Sequence, residues 1–385
     1  MTLDAHAARH SERTVTYLTQ QIAAAGGWLS FERFMDLALY APGLGYYSVG
    51  TQKLGIGGDF TTAPEVSSLF GRCVARQCGE VLRSFAAPCI LEIGAGSGRL
   101  AADLLSRLEE LEQLPQNYWI LEISADLRER QRAFLEERLP HLVARVRWLD
   151  EPPQQAFDGV VLANEVLDAL PVVRFRWHSH GIEELGVSVD HGQFGWAVRP
   201  ANLDVSHQCR RLYEASAGWD EGYVSEYCPR LHGFTQAVTH ALRAGAVLWV
   251  DYGLPRAHYY LPERHEGTLV CHYRHRATSD PFAHVGLQDI TAWVDFTSLA
   301  EGSRDAGFEL AGFTTQAHFL AATGIDEEMR LAAGDDENKF ARLAGEARQL
   351  MLPGEMGERF KAMAWQRGIE TPLSGFELLD LRHTL

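Results

Sequence analysis

Apolar positions recur at helical spacing through Thr14–Ala25 and again from about Val66 to Phe85, with the glycine-rich stretch LYAPGLGYYSVGTQKLGIGGDFTTAPE between them. A loop so long and so rich in glycine inside a compact chain is usually functional. From Pro88 the pattern changes to short apolar runs alternating with helical stretches, which predicts a parallel sheet covered on both faces. Strands are expected at Cys89–Ile93, Tyr118–Leu121, Val146–Leu149, Gly159–Ala163 and Ala246–Val250. Helices are expected at Leu100–Leu111, Leu127–Arg138 and Leu231–Arg243. The stretch Val172–Arg199 alternates apolar and polar residues around His180-Gly181 and His191-Gly192, which predicts an antiparallel insertion of about three strands. Two last strands, Phe308–Phe313 and Phe360–Trp365, frame a helical segment near Asp326–Leu350, and FKAMAW suits an antiparallel edge pair. The fold class is therefore α/β, doubly wound on a mostly parallel seven-stranded sheet. By region, 1–87 is a helical segment with a Gly-rich cover, and 88–325 is a Rossmann-like core with insertions at 172–228 and 253–297. The remainder, 326–385, is a helical segment and a strand that completes the core.

Composition adds exclusions. The chain of 385 residues is 46% hydrophobic with formal net charge −16, enough material for a large core and a field that repels phosphate backbones. No basic patch offsets that field, so a nucleic-acid substrate is not expected. Six cysteines without a CxxC pair read as reduced thiols. The start carries Asp4 and Glu12 and lacks an apolar segment, so neither a signal nor a transit peptide is read there, and no apolar run is long enough to span a bilayer. A cytoplasmic location is the expectation.

The sharpest local signal is ILEIGAGSGRLAADLL, an apolar strand running into alternating glycines and then a helix. Gly94, Gly96 and Gly98 permit a tight turn and close backbone approach to a ligand. A dinucleotide fingerprint needs its third glycine one place later, where a helix N-terminus meets a pyrophosphate, and that place holds Arg99. Glu92, two residues before the first glycine, brings negative charge that suits a sulfonium and an amino group. The cofactor expected is S-adenosylmethionine (SAM). Glu122, ending the next strand in YWILEIS, is placed to accept hydrogen bonds from ribose hydroxyls. Asp150, ending RVRWLD, is a candidate for the adenine amino group or simply a surface aspartate before Pro152-Pro153.

Ligands of open α/β sheets lie at the carboxyl ends of strands, so LANEVLDALPV after the fourth strand faces the reacting group. Asn164 and Glu165 leave that strand together, and Asp168 joins them if a helical turn follows. Carboxylates can hold an arginine acceptor by its guanidinium and draw its charge to one side, Glu165 first and Asp168 second. Helix N-terminal capping is the alternative for both. In GTLVCHYRHRATSDPF the residues His272, Tyr273 and Arg274 are candidates for a substrate-facing wall. Cys271, His272, His275 and His284 match no familiar zinc spacing, and no metal is assigned.

The motifs FMDLALYAPGLGYYS, GDFTTAPEVSSLFG, LEIGAGSGRL, LANEVLDALP, VDYG, CHYRHR, HVGLQDITAWVDFTSL and LPGEMGERFKAMA together closely resemble the MidA family of SAM-dependent methyltransferases, from about Trp28 to Phe376. The resemblance implies a class I methyltransferase fold whose N-terminal segment closes over SAM. It places Asp59, Pro64 and Glu65, of the family's GDFxTxPE motif, over the cofactor. In the mitochondrial relatives the acceptor is an arginine of a respiratory complex I subunit, so a protein partner of that kind is implied. The alternatives are a small-molecule O- or N-methyltransferase and a SAM-binding assembly factor without turnover.

Overall fold

A computed structural model describes residues 5–48 and 61–385. Its central sheet contains β1 (Cys89–Ile93), β2 (Asn117–Leu121), β3 (Val146–Leu149), β4 (Phe157–Asn164), β5 (Leu242–Leu254), β6 (Glu309–Thr315) and β7 (Phe360–Arg367). The order across the sheet is β6-β7-β5-β4-β1-β2-β3, with the two-residue strand Val294–Asp295 paired onto the end of β5. β1 to β5 run parallel, and β7, the last in sequence, inserts antiparallel between β5 and β6.

These strands form where they do because both faces are buried. Along β1 every residue is buried, Ile90 into one cluster and Cys89, Leu91 and Ile93 into the other, as the two-residue period of a strand requires. The first cluster packs under α3 (Ser68–Leu82), α4 (Arg99–Glu110) and the C-terminal helices; Phe70, Leu104, Leu105 and Leu350 lie in it. The second packs under Leu231–Thr239 and Phe296–Asp305 and contains Trp249 of β5 and Trp365 of β7, whose rings meet edge to face at 5.3 Å.

Three sequence boundaries shift for identifiable reasons. The helix expected from Val66 becomes a short turn of helix, Ala63–Val66, and then α3, because extended Ser67 accepts the Leu69 N–H with its own hydroxyl. The helix expected to reach Arg243 stops at Thr239, because Ala241 and Leu242 pair with Phe157 at the start of β4 and β5. The segment near Asp326–Leu350 is two helices, Ile325–Ala333 and Glu337–Met351, parted at Gly334 and restarted by Asp336 as cap.

The strands Val173–His178, Gly181–Asp190 and Gln193–Pro200 form the expected antiparallel insertion, joined by Val224–Tyr227 and by Leu29–Ser30. Against it lie α1 (Ala5–Ala24) and α2 (Phe31–Tyr40), whose Leu18, Phe31 and Phe34 share a cluster with Val187. A small sheet of Val270–Tyr273, Arg276–Thr278 and Asp289–Thr291 adjoins them. No helix among the described residues is long and apolar enough to cross a membrane.

Candidate functional site

β1 ends in the glycine turn, where Gly94, Gly96 and Gly98 take φ of +64°, +56° and +83°. The left-handed region costs a side-chain-bearing residue roughly 1–2 kcal/mol, so these positions select glycine. At Gly94 a Cβ would also come within 3.2 Å of Val166, so its absence lets the turn after β4 approach the glycine loop. Glu65 reaches this loop from Ala63–Val66: its carboxylate accepts the Ser97 hydroxyl and pairs with Arg99 Nε at 3.4 Å. Beside the loop, Gln131 donates to the Gly96 carbonyl at 2.9 Å and to Glu122 Oε2 at 3.2 Å, while its own oxygen accepts from Trp148 Nε1 at 2.9 Å. Glu122 Oε1 takes the Ser124 N–H at 2.9 Å. Buried Glu92 accepts the Tyr118 hydroxyl at 2.7 Å, and burial pushes its carboxyl up to about 7.

At the end of β4, Glu165 adopts φ +54°, unusual for a residue with a side chain. Its Oε1 accepts the Ala63 N–H at 3.2 Å and Asn164 Nδ2 at 3.1 Å. Burial, with the Asp168 carboxyl nearby, pushes Glu165 up to about 8. The helical turn expected after Glu165 does not form. Instead Asp251 of β5 caps the segment, its Oδ2 accepting the N–H groups of Val166, Leu167 and Asp168 at 3.2, 2.9 and 3.4 Å. Asp168 thereby turns inward to the Tyr252 hydroxyl, and burial raises its carboxyl to about 6. Asp251 itself is raised well above the carboxylate range, by burial first and then by Asp168 and Glu165.

A cleft of about 260 Å³ opens at the carboxyl ends of β1, β2 and β4. Of the residues singled out in the sequence, Pro64, Glu65, Glu92, Gly94, Gly96, Glu122, Asn164 and Glu165 line it. Gly98 sits one step back as the N-cap of α4. Asp168 lies behind Glu165 and does not reach the wall, and Asp150 is 78% exposed outside it, 3.8 Å from Arg128. His272, Tyr273 and Arg274, at a hairpin end, are not among the described lining residues, and Tyr273 lies against His284 at 4.2 Å between ring centroids. Asp59 lies outside the described residues.

Sequence reasoning missed Tyr40, Tyr47, Ile123, Leu127 and Phe234, all in the cleft wall, and Asp251 beneath it. Tyr40 and Tyr47 stack at 5.5 Å; Tyr40 donates to the Ala169 carbonyl at 2.9 Å and Tyr47 to buried Asp289 at 3.0 Å. Their place inside the motif LYAPGLGYYS was the available signal.

A family model described as S-adenosyl-L-methionine-dependent methyltransferase matches residues 73–314. The chain belongs to this methyltransferase family. It is 28% identical to the zebrafish (Danio rerio) "Protein arginine methyltransferase NDUFAF7, mitochondrial" over 95% of this chain and 92% of that one, and 30% identical to the Mus musculus protein of the same name over 88% and 81%. A Burkholderia thailandensis crystal structure bound to S-adenosyl-homocysteine is similar at 42% identity, with TM-score 0.95 and both chains covered completely. The cofactor of this methyltransferase is SAM, and the cleft fits it. Asn164 Oδ1, buried in the wall, has no hydrogen-bond partner among the described residues and so offers an acceptor to a cationic group. Gly94 and Gly96 leave room for backbone contact, and Ile123 and Leu127 give an apolar surface for a base.

Proposed function

We propose that this methyltransferase methylates a guanidinium nitrogen of arginine in a protein substrate. The observation that carries the reading is Glu165, a cleft-wall carboxyl raised to about 8 and backed by Asp168 and Asp251. Four acidic residues gathered there, with Asp289 the fourth, favour a cationic acceptor and disfavour an anionic one. The stacked faces of Tyr40 and Tyr47 add a surface suited to a planar cation. The names of the relatives agree with the reading.

SAM supplies a methyl group on a positively charged sulfur, open to in-line attack. Glu165 orients the guanidinium, draws its charge to one side and takes the proton that leaves the nitrogen on methylation. Gly94 and Gly96 receive the cofactor's amino-acid end, with Asn164 Oδ1 and Glu92 toward its ammonium; Glu122 receives the ribose hydroxyls. Pro64 and Glu65 cover it. Asp168 acts through Glu165 by raising its proton affinity. His272, Tyr273 and Arg274 serve the protein partner outside the cleft, and Asp150 serves the adenine edge only if its exposed carboxylate swings inward.

Incubating the enzyme with methyl-labelled SAM and a lysate of cells lacking the gene tests this. A labelled protein band that yields methylarginine on hydrolysis is expected, and its identity shows whether the acceptor is a respiratory-chain subunit. Label confined to small molecules would overturn the reading.

A further inference from the structure

The antiparallel insertion carries a second group of chemistry-bearing side chains. Strands Val173–His178 and Gly181–Asp190 pair through His178 and Gly181, so Ser179 and His180 form the hairpin tip. The loop before Val224–Tyr227 brings Glu221 to this tip: its Oε1 accepts the Ser179 N–H at 2.7 Å and its Oε2 lies 3.1 Å from His178 Nδ1. The rings of His178 and His180 stack at 5.1 Å. One ligand atom from each of the three residues lies within 4.8 Å of the other two, the one such group among the described residues.

We propose that His178, His180 and Glu221 bind a zinc-class divalent transition metal. Two imidazoles and one carboxylate are the donors that borderline metals take, in contrast to the all-oxygen sets of calcium and magnesium. In a tetrahedral zinc site with bonds of about 2.0–2.1 Å, neighbouring donor atoms stand about 3.3 Å apart. His178 Nδ1 and Glu221 Oε2 already meet that spacing, and rotation of the exposed His180 ring closes the rest.

The surroundings hold the donors in place. The hydrogen bond from Ser179 occupies Glu221 Oε1 and leaves Oε2, beside His178 Nδ1, for the metal. On the far side of the same imidazole, His178 Nε2 faces Glu183 Oε2 at 3.4 Å, an oxygen that Arg176 Nη1 also holds at 3.3 Å. A carboxylate behind a ligating histidine fixes its tautomer and ring orientation. A plain ion pair between His178 and Glu221 gives no role to His180, whereas a metal uses all three. The metal would tie the hairpin tip to the 215–223 loop and keep a fourth position open to water or to a ligand from a partner. Spacing alone hid the group, because Glu221 is remote in sequence from the His178-Ser179-His180 pair.

Titration calorimetry of Zn²⁺ into the full chain, stripped beforehand with chelator, tests the site. One zinc per chain is expected, with His180→Ala binding at least about tenfold more weakly and Glu183→Gln about ten- to a hundredfold more weakly. Zinc should raise the thermal midpoint of the wild type and not that of His180→Ala. His180 is exposed, and matching circular dichroism of wild type and variant shows that the fold is intact. No zinc heat from the wild type, or equal zinc affinity in wild type and His180→Ala, would overturn the proposal.

Discussion

Asp251 Oδ2 accepts the backbone N–H of Leu167 at 2.9 Å, joining the end of β5 to the turn that carries Glu165. Its other oxygen takes the Tyr252 N–H at 2.9 Å. Asp251→Asn keeps the shape but turns an N–H group toward one of these donors, and Asp251→Ala leaves four backbone N–H groups without their acceptor. Each buried donor so stranded costs about 1–3 kcal/mol before relaxation. Asp251→Ala is therefore expected to be the less stable variant in urea denaturation, and both should lose turnover because Glu165 no longer holds its left-handed backbone. Wild-type turnover in Asp251→Ala would show that the turn stands without this cap.

Glu165→Gln preserves size and an oxygen for Ala63 N–H and Asn164 Nδ2. It removes the charge and the proton acceptor. Single-turnover rate is expected to fall by roughly a hundredfold or more, the usual contribution of a positioned base, with SAM affinity nearly unchanged. Loss of SAM binding would make Glu165 a cofactor ligand. Asp168→Asn should have a smaller effect on rate, because Asp168 acts from behind the wall.

Rate and stability should respond to pH in opposite directions. The Glu165 carboxyl, raised to about 8, must be ionised to take a proton, so kcat/KM rises with pH up to about 8 and that limb flattens in Glu165→Gln. Because the folded-state values of Glu165 and Asp168 lie above the ordinary carboxyl values of 4.5 and 3.8, the folded chain binds the extra protons. The stability they contribute is complete below about 4 and is lost as pH rises through about 6 to 8. Denaturation at several pH values reads this out. A flat profile between pH 5 and 8 in both assays would contradict it.

Calorimetry should show SAM or S-adenosylhomocysteine binding and no NAD binding. Glu122→Ala is expected to weaken SAM by about 1.5–3 kcal/mol, and it also frees Gln131 and the Ser124 N–H, so Glu122→Gln, which keeps an oxygen for one of those two donors, is the control. Gly96→Val should abolish binding. Since Gly96 holds φ +56°, a β-branched residue there also strains the loop, and some loss of stability should accompany the loss of ligand.

What could be read in advance was local. β1, the glycine turn and Glu122 follow one another within a single β-α-β unit, and apolar runs bounded by turn residues mark them directly. Asp251 had no such marker, because parallel pairing of Val250 with Asn164 is what brings it under the turn. Asp168 pointed the wrong way in the helical reading, since its direction depends on Glu165 taking a left-handed backbone that no spacing rule anticipates. Tyr40 and Tyr47 arrive from α2 and the turn after it, packed against a different sheet, so their presence in the cleft is a tertiary result.

The place of β7 makes the core depend on a segment more than 100 residues after β5 in sequence. Trp249 on β5 and Phe313 on β6 are covered only when residues 360–367 slide between their strands. During synthesis the sheet therefore cannot close until residues 360–367 have left the ribosome, and until then β5 exposes a long unpaired edge with two apolar faces. A nascent chain halted before Phe360 is a natural client for a chaperone, and a frameshift or stop upstream of Phe360 would act on solubility more than on chemistry.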